Sequence, residues 1–312
     1  MIELIFLGTS ASAPSIERGL SATMLLHRDQ RFLIDCGEGT QRQLLLSGLG
    51  FKKLDKVLLT HGHLDHILGL GGLVSTFARW EALPTLTIYG GPWALDRVGD
   101  LLGRVVFRGD EPEMHVTYQP VEPGPIWTSE HLTVSAFPVS HRGRGCYGYC
   151  FQEETKRPFL VEEAERLGVP AGPERRRLVA GEPITLADGR VIAPEMVLGP
   201  QVPGPKLVYV GDAGRTDDLL EVARGADALV IEATYVDSEA EMAARFGHLT
   251  ARQAAELARD AGVGELYLSH VSRRYPGKVV QAEARQVFPG AVVVQDFDHV
   301  RVLGAEKAEE QS

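Results

Sequence analysis

The sequence predicts an α/β protein in which helices cover β-sheets, and three observations carry that reading. Short apolar runs of strand length recur along the 312 residues. Helical stretches fall between many of them, the pattern expected of layered sheets and helices. Four of the runs, "LLTH", "PVSH", "YVGD" and "YLSH", finish in a potential metal ligand: His61, His141, Asp212 and His270. Ends of neighbouring strands converge at one rim of a sheet, so these four side chains are expected to meet there.

The first run, "ELIFLG" near residue 3, has no basic leader before it and no small-residue cleavage site behind it. It reads as the first strand of the mature fold and points to the cytoplasm. "SATMLLH", "RFLIDCG" and "DKVLLTH" follow near residues 21, 31 and 55. "LDHILGLGGLVSTFA" then suggests a helix, and "TLTIYG" and "LTVSAFPVSH" two further strands. "CYGYCF" is another strand. Its Cys146 and Cys150 lie four apart, but Cys36 is the only other cysteine, so no second pair completes a structural zinc site or a disulfide framework.

Residues 154–205 differ in being rich in Pro, Gly, Arg and Glu. A connection this long has a use or is mobile. It opens with a short helical stretch, "FLVEEAERLG", and carries Arg175, Arg176 and Arg177 in a row. Arginine matches phosphate geometry, while Glu174, Glu182 and Asp188 dilute the field; the alternative is a charged solubilising loop. The strands resume at "KLVYVGD", "ALVIEATY", "ELYLSH" and "AVVVQD". In "LTARQAAELARDAG", Thr250 and Gln253 form a capping box. Ala254, Leu257, Ala258 and Ala261 make one apolar face, and Gly262 is a stop. The chain is expected to form one domain over residues 1–303, with 154–205 containing the insert and 304–312 a flexible tail.

Composition excludes little. With 44% hydrophobic and 24% charged residues the chain is an ordinary globular mixture. No apolar run approaches the ~18 residues of a membrane span. The net charge of −10 argues against nucleic acid as partner, since backbone affinity comes from neutralised phosphates. Local fields can oppose the total.

The sharpest signal is "LLTHGHLDHILGL" at 58–70. Three histidines and an aspartate within six residues are a poor way to build a core, because buried imidazoles and carboxylates need partners. They suit a metal site. His61 and His63 can reach one metal across the turn at Gly62, and Asp65 and His66 a second. Asp212 is the natural bridge, with His141 completing the first metal and His270 the second. Neutral imidazole and carboxylate suit Zn²⁺, and also Mn²⁺, Fe²⁺ or Co²⁺. Two such cations ~3.5–4 Å apart form a hydrolytic device suited to phosphodiesters.

"THGHLDH", followed in order by His141, Asp212 and His270, resembles the signature of the metallo-beta-lactamase superfamily. The resemblance implies a four-layer αβ/βα sandwich with two zinc ions at one edge of its sheets. "FLGTSASAPSIERG" at 6–19, "LIDCGEGTQRQL" at 33–44, "IEATY" with "GHLTARQAAELA", and "LSHVSRRY" are similar to segments of the ribonuclease Z family, in family order. Gly19 stands where that family usually has asparagine and Ile231 where it usually has histidine.

This resemblance implies an endonuclease that removes the 3′ trailer of precursor tRNA by attack of a metal-activated water after the discriminator nucleotide. Asp65 would orient that water or take its proton, or act as a ligand alone. His248 would protonate the leaving oxygen, held in its tautomer by Glu232; the other reading is a structural histidine at a helix start. Arg273 is favoured over Arg274 for phosphate, Tyr275 is counted with it as substrate-binding, and Ser272 and Tyr275 would anchor that loop. The insert resembles an arm that protrudes and grips the tRNA elbow from the partner subunit of a homodimer. Neither a membrane nor DNA is implied as partner. A hydrolase of small phosphodiesters or other small esters would share every ligand without needing the arm, and a non-catalytic RNA-binding protein would be expected to lack ligands.

Overall fold

The structure, a computed structural model, describes residues 1–80, 83–109 and 113–304. The expected tail at 304–312 lies outside the described residues except for Gly304. The chain divides into two compact units, one of Met1–Gln152 with the residues from Pro205 onward, the other Glu153–Gly204.

In the first unit the strands run β1 (Ile2–Gly8), β2 (Ala22–His27), β3 (Gln30–Ile34), β4 (Lys56–Leu58), β5 (Thr85–Gly90) and β6 (His115–Pro120). They continue with β7 (Gly124–Thr128), β8 (Leu132–Pro138), β9 (Tyr147–Glu153), β10 (Lys206–Tyr209) and β11 (Ala228–Glu232). The last three are β12 (Glu265–Ser269), β13 (Val292–Val293) and β14 (His299–Val302). One seven-stranded sheet has the order β14-β1-β2-β3-β4-β5-β6, and the other β13-β12-β11-β10-β9-β8-β7. In each sheet one half is antiparallel and the other parallel: β3 to β6 run parallel, as do β10 to β13.

Period-two alternation fills three layers of core. Ile2, Leu4 and Phe6 of β1 join Phe32, Ile34, Tyr149, Phe151, Leu207 and Val230 between the two sheets. The opposite face of the first sheet, with Ile5, Leu7, Leu33 and Val57, packs on Leu70, Leu73 and Phe77 of a helix at Gly69–Trp80 and on Leu95 and Val98 of another at Pro92–Asp100. The outer face of the second sheet, with Val208, Leu229, Ile231 and Leu268, packs on Ala254, Leu257 and Ala258. Strands apolar on both faces are what a doubly covered parallel sheet requires. Ile231 belongs to this core, which accommodates an aliphatic side chain.

The Ala251–Asp260 helix starts as its sequence dictates: Thr250 accepts from the Gln253 N–H and the Gln253 side chain returns a bond to the Thr250 N–H. Gly262, at φ 65°, ends it in the left-handed region. Three strands of the first unit escaped the sequence reading. β6, β7 and β14 carry mostly half-exposed residues and lack a clean apolar alternation. The helix read through 64–78 is two helices, Leu64–Ile67 and Gly69–Trp80.

The second unit is not an irregular excursion. Its ends pair through the bridges Lys156–Val202 and Phe159–Leu198. Beyond them lie helices at Val161–Arg166 and Pro173–Val179 and a hairpin of Ile184–Thr185 with Val191–Ile192. Ala164, Val169, Leu178, Ile184, Ile192 and Val197 give it a core of its own. The arginine triplet sits on the Pro173–Val179 helix, a helix the sequence reading did not place.

Candidate metal centre

The site grows out of short turns that follow the strands. His61 lies three residues beyond β4, His141 three beyond β8, Asp212 three beyond β10, and His270 directly after β12. The carboxyl ends of parallel strands are where open α/β sheets place their ligands. Gly211, at φ 72°, turns the chain after β10, and a Cβ there would stand 2.9 Å from Thr60 Cγ2. Gly69 lets its helix start against the 36–37 turn, where a Cβ would come within 2.0 Å of the Gly37 carbonyl oxygen. Asp35 and His270 adopt φ values of 58° and 52°, a left-handed conformation that costs energy for such residues and clusters at functional sites.

Two groups of ligand atoms assemble, each spanning no more than 4.8 Å: His61, His63, His141 and Asp212, and Asp65, His66 and His270. Asp212, 3% exposed, faces both. Its Oδ2 lies 3.8 Å from His61 Nε2 and 3.7 Å from His141 Nε2. Its Oδ1 lies 3.5 Å from His66 Nε2 and 3.4 Å from His270 Nε2. A third overlapping group joins His141 and Asp212 to Glu232 and His248.

Hydrogen bonds behind the imidazoles select their tautomers. Asp35 accepts from the Thr60 N–H, from Thr60 Oγ1 and from His66 Nδ1, each at 2.8 Å. Thr60 Oγ1, its proton given to Asp35, accepts from His61 Nδ1 at 3.0 Å. His141 Nδ1 donates to the Gly247 carbonyl at 2.7 Å. Thr234 Oγ1 donates to Glu232 and accepts from His270 Nδ1 at 2.9 Å. Four histidines thereby aim Nε2 inward, and His63 turns Nδ1 to within 2.8 Å of His61 Nε2 and 3.3 Å of His141 Nε2. Lone pairs at such distances repel unless a cation or proton lies among them. Asp212 Oδ1, buried and without a hydrogen-bond donor, makes the same demand. The donor set therefore fits a pair of divalent cations.

Electrostatics agree. Burial lowers His61 well below its ordinary value, His63 to about 4, and His141 as well, which keeps them neutral. His66 goes the other way: burial opposes its charge, but Asp212 and Asp35 outweigh it. Its proton must be displaced when a cation binds. Burial also opposes ionisation of Asp212, yet the surrounding imidazoles hold its carboxyl well below the usual range. His248 Nδ1 lies 3.0 and 3.1 Å from the two Glu232 oxygens. Burial alone would lower this imidazole, but the Glu232 charge lifts it to about 9. Glu232 is fixed in turn by the Ala213 and Leu249 N–H groups.

A cleft of about 500 Å³ opens over the site, with Ser12, Asp65, Arg97, Arg142, Phe246 and His248 among its walls. The Ser12 N–H holds Asp65 Oδ2 at 2.9 Å. Beside Arg18, Arg273 and Lys278 lies a second, larger cavity of about 990 Å³. Arg274 pairs with Glu239 at 3.1 Å, whereas Arg273 has no ion pair among the described residues. Tyr275 lines the same cavity; its ring also packs on the core of the second sheet, its hydroxyl is buried and its N–H donates to the Ser272 carbonyl. In the other unit, Arg175 bonds the Val169 carbonyl and Arg177 pairs with Glu182, leaving Arg176 exposed and unpaired among the described residues.

Sequence reasoning missed Asp35, Thr60 and Thr234 as supports. Asp35 carried a usable signal, since "FLID" ends a strand in a carboxylate as "YVGD" does. Supports of this kind set ligand orientation, and losing one costs ~10–100-fold in metal affinity. Asp35→Asn, which keeps one acceptor oxygen where three donors converge, should weaken cation binding by that order in competition with a chelator. Unchanged affinity would exclude the supporting role.

Comparison with known proteins agrees with this geometry. A model of the metallo-beta-lactamase superfamily matches residues 17–79, and a model of the beta-lactamase superfamily domain matches residues 175–271. The chain is 45% identical over 302 residues to ribonuclease Z of Bradyrhizobium diazoefficiens, covering 97% of this chain and 100% of that one. Among solved structures it is similar to the metallo-beta-lactamase fold protein YhfI from Bacillus subtilis, with a TM-score of 0.69 at 20% identity, covering 96% of this chain and 100% of that one. Human tRNase Z, short form, gives a TM-score of 0.68 at 23% identity and covers 96% of this chain and 99% of that one. The likeness to these two is one of fold, and the chain has the metallo-beta-lactamase fold.

Proposed function

The chain belongs to the ribonuclease Z family, and on that premise we propose that it removes the 3′ trailer of precursor tRNA as a dinuclear, metal-dependent endoribonuclease. The observation that carries this is Asp212, whose two oxygens face two separate sets of ligand atoms. His61, His63, His141 and Asp212 would hold one cation; Asp65, His66, His270 and Asp212 the other. Zinc suits the imidazole-rich donor set best. When bound, the pair supplies an activated water and offsets the charge that builds on the phosphoryl oxygens.

The side chains do the rest. Asp65, held by the Ser12 N–H, orients the attacking water and takes its proton. His248, kept cationic by Glu232, gives a proton to the departing 3′-oxygen, which leaves a 3′-hydroxyl on the tRNA. Arg273 steadies a flanking phosphate. The Glu153–Gly204 unit binds the tRNA body, with Arg176 as its free guanidinium. The family resemblance supports a homodimer and a cytoplasmic setting, where precursor tRNA is met. No helix among the described residues is long and apolar enough to cross a membrane.

Precursor tRNA incubated with the metal-loaded protein should yield tRNA ending in a 3′-hydroxyl at the discriminator and a 5′-phosphorylated trailer. Intact precursor after incubation would refute the reading. The binding unit has its own test. Leu160 and Val197 are hydrogen-bonded neighbours, so removing residues 161–196 and closing with a short Gly-Ser link preserves the paired stem. Metal content and hydrolysis of a small phosphodiester should persist, while cleavage of precursor tRNA falls mainly through weaker binding. Undiminished tRNA binding by the shortened protein would remove the unit from recognition.

A further inference from the structure

Phe246 ends a helix at Ala240–Phe246 and is followed by Gly247, at φ 70°, and then by His248. It is 37% exposed, on the wall of the cleft that holds Asp65, Asp212 and His248. Two guanidinium groups face its ring, Arg142 at 5.8 Å and Arg245 at 5.6 Å from the centroid. Neither has an ion-pair partner among the described residues, although the chain carries a net charge of −10. The turn is also tied down by hydrogen bonds. The Gly247 carbonyl takes the His141 Nδ1 proton at 2.7 Å, and Arg142 Nη1 reaches the Phe246 carbonyl at 3.5 Å. A Cβ at Gly247 would stand 2.9 Å from Arg142 Cγ, so the glycine is what lets Arg142 lie over the turn.

We propose that Phe246 is a stacking platform for one nucleobase of the substrate, the base of the nucleotide whose 3′-oxygen departs, with Arg142 holding the platform and the adjacent phosphate. This rests on the reading of the chain as a ribonuclease acting on precursor tRNA. An aromatic face flanked by guanidinium groups suits a flat base next to an anionic backbone. The side follows from the chain. His248 faces the departing oxygen, Phe246 lies two residues from it on the same cleft wall, and the base on the departing ribose is the nearest one to that wall.

The test uses the full-length, metal-loaded protein and three precursor tRNAs: unmodified, abasic at the discriminator, and abasic at the first trailer nucleotide. Phe246→Ala should keep the parent's metal content and raise KM on the unmodified precursor by roughly 10- to 100-fold, the scale of one lost base stack. Phe246→Trp should restore it. The discriminator-abasic precursor should cost the parent a similar factor and cost Phe246→Ala almost nothing more. If parent and variant lose equally on both abasic substrates, the stacking proposal is overturned. If the cancellation appears only with the abasic trailer nucleotide, the assignment to the departing side is overturned. A parent that cuts no precursor tRNA overturns the ribonuclease reading, which separates that failure from this one.

Discussion

Asp212→Ala should abolish turnover and strip the protein of most of its metal while leaving it folded. The expected loss of rate is about a thousandfold or more, the equivalent of the ~4 kcal/mol of charge stabilisation that a paired-cation site supplies. The argument is geometric. Among the described residues Asp212 is the one carboxylate whose two oxygens are turned to different ligand sets, with Oδ2 toward His61 and His141 and Oδ1 toward His66 and His270. Without it, Asp65 is the one carboxylate left in the two ligand sets to offset the charge of two dications. The sheet should survive, because Val208, Val210 and Ala213 are buried in a core to which the carboxylate contributes nothing. Asp212→Asn separates shape from charge. It keeps the volume and one oxygen and should still fail to hold the second cation. Metal analysis that finds two tightly bound ions in either variant, with circular dichroism like that of the parent, would refute the bridging role.

The parts of this molecule that were legible in the sequence are those set by local pattern. Strands buried on both faces appear as continuous apolar runs, so β1, β3, β10, β11 and β12 could be read directly. The Thr250 cap could be read because its two partners are three residues apart. The candidate ligands stood out in the sequence because histidine and aspartate at strand ends have few other reasons to be there. What stayed hidden depends on partners distant in sequence. Asp35 meets Thr60 and His66 only after β3 and β4 pair, and Thr234 meets His270 only after β11 and β12 pair. The small core of the second unit draws on Ala164, Leu178, Ile192 and Val197, too widely spaced for any window of composition to reveal. The arginine triplet shows the same limit. Its exposed surface could be guessed, but the engagement of Arg175 with Val169 and of Arg177 with Glu182 required the fold.

His248→Ala should retain both cations yet cut precursor tRNA ~10²–10⁴-fold more slowly, the range typical of losing a positioned proton donor. Metal should stay because His248 Nδ1 is turned to Glu232 at 3.0 Å and lies 3.8 Å from Asp212, while the His61, His63 and His141 atoms fill that side of the centre. The defect should depend on the leaving group. An unactivated ribose 3′-oxygen departs as a strongly basic alkoxide unless it is protonated in the transition state. A nitrophenolate needs no such help, so on an activated aryl phosphodiester the same variant should lose less than about tenfold. Glu232→Gln should show a weaker form of the same selectivity. It keeps a hydrogen-bonding side chain beside His248, Ala213 and Thr234 but removes the charge that favours the imidazolium. Comparing kcat for the two substrates separates the possibilities cleanly. A general acid gives a large loss on tRNA and a small one on the aryl ester, whereas a residue that only props the Gly247 turn and His141 would lower both alike. Equal losses on the two substrates, with metal content unchanged, would therefore reassign His248 to support of the centre and leave the departing oxygen without an acid from this chain.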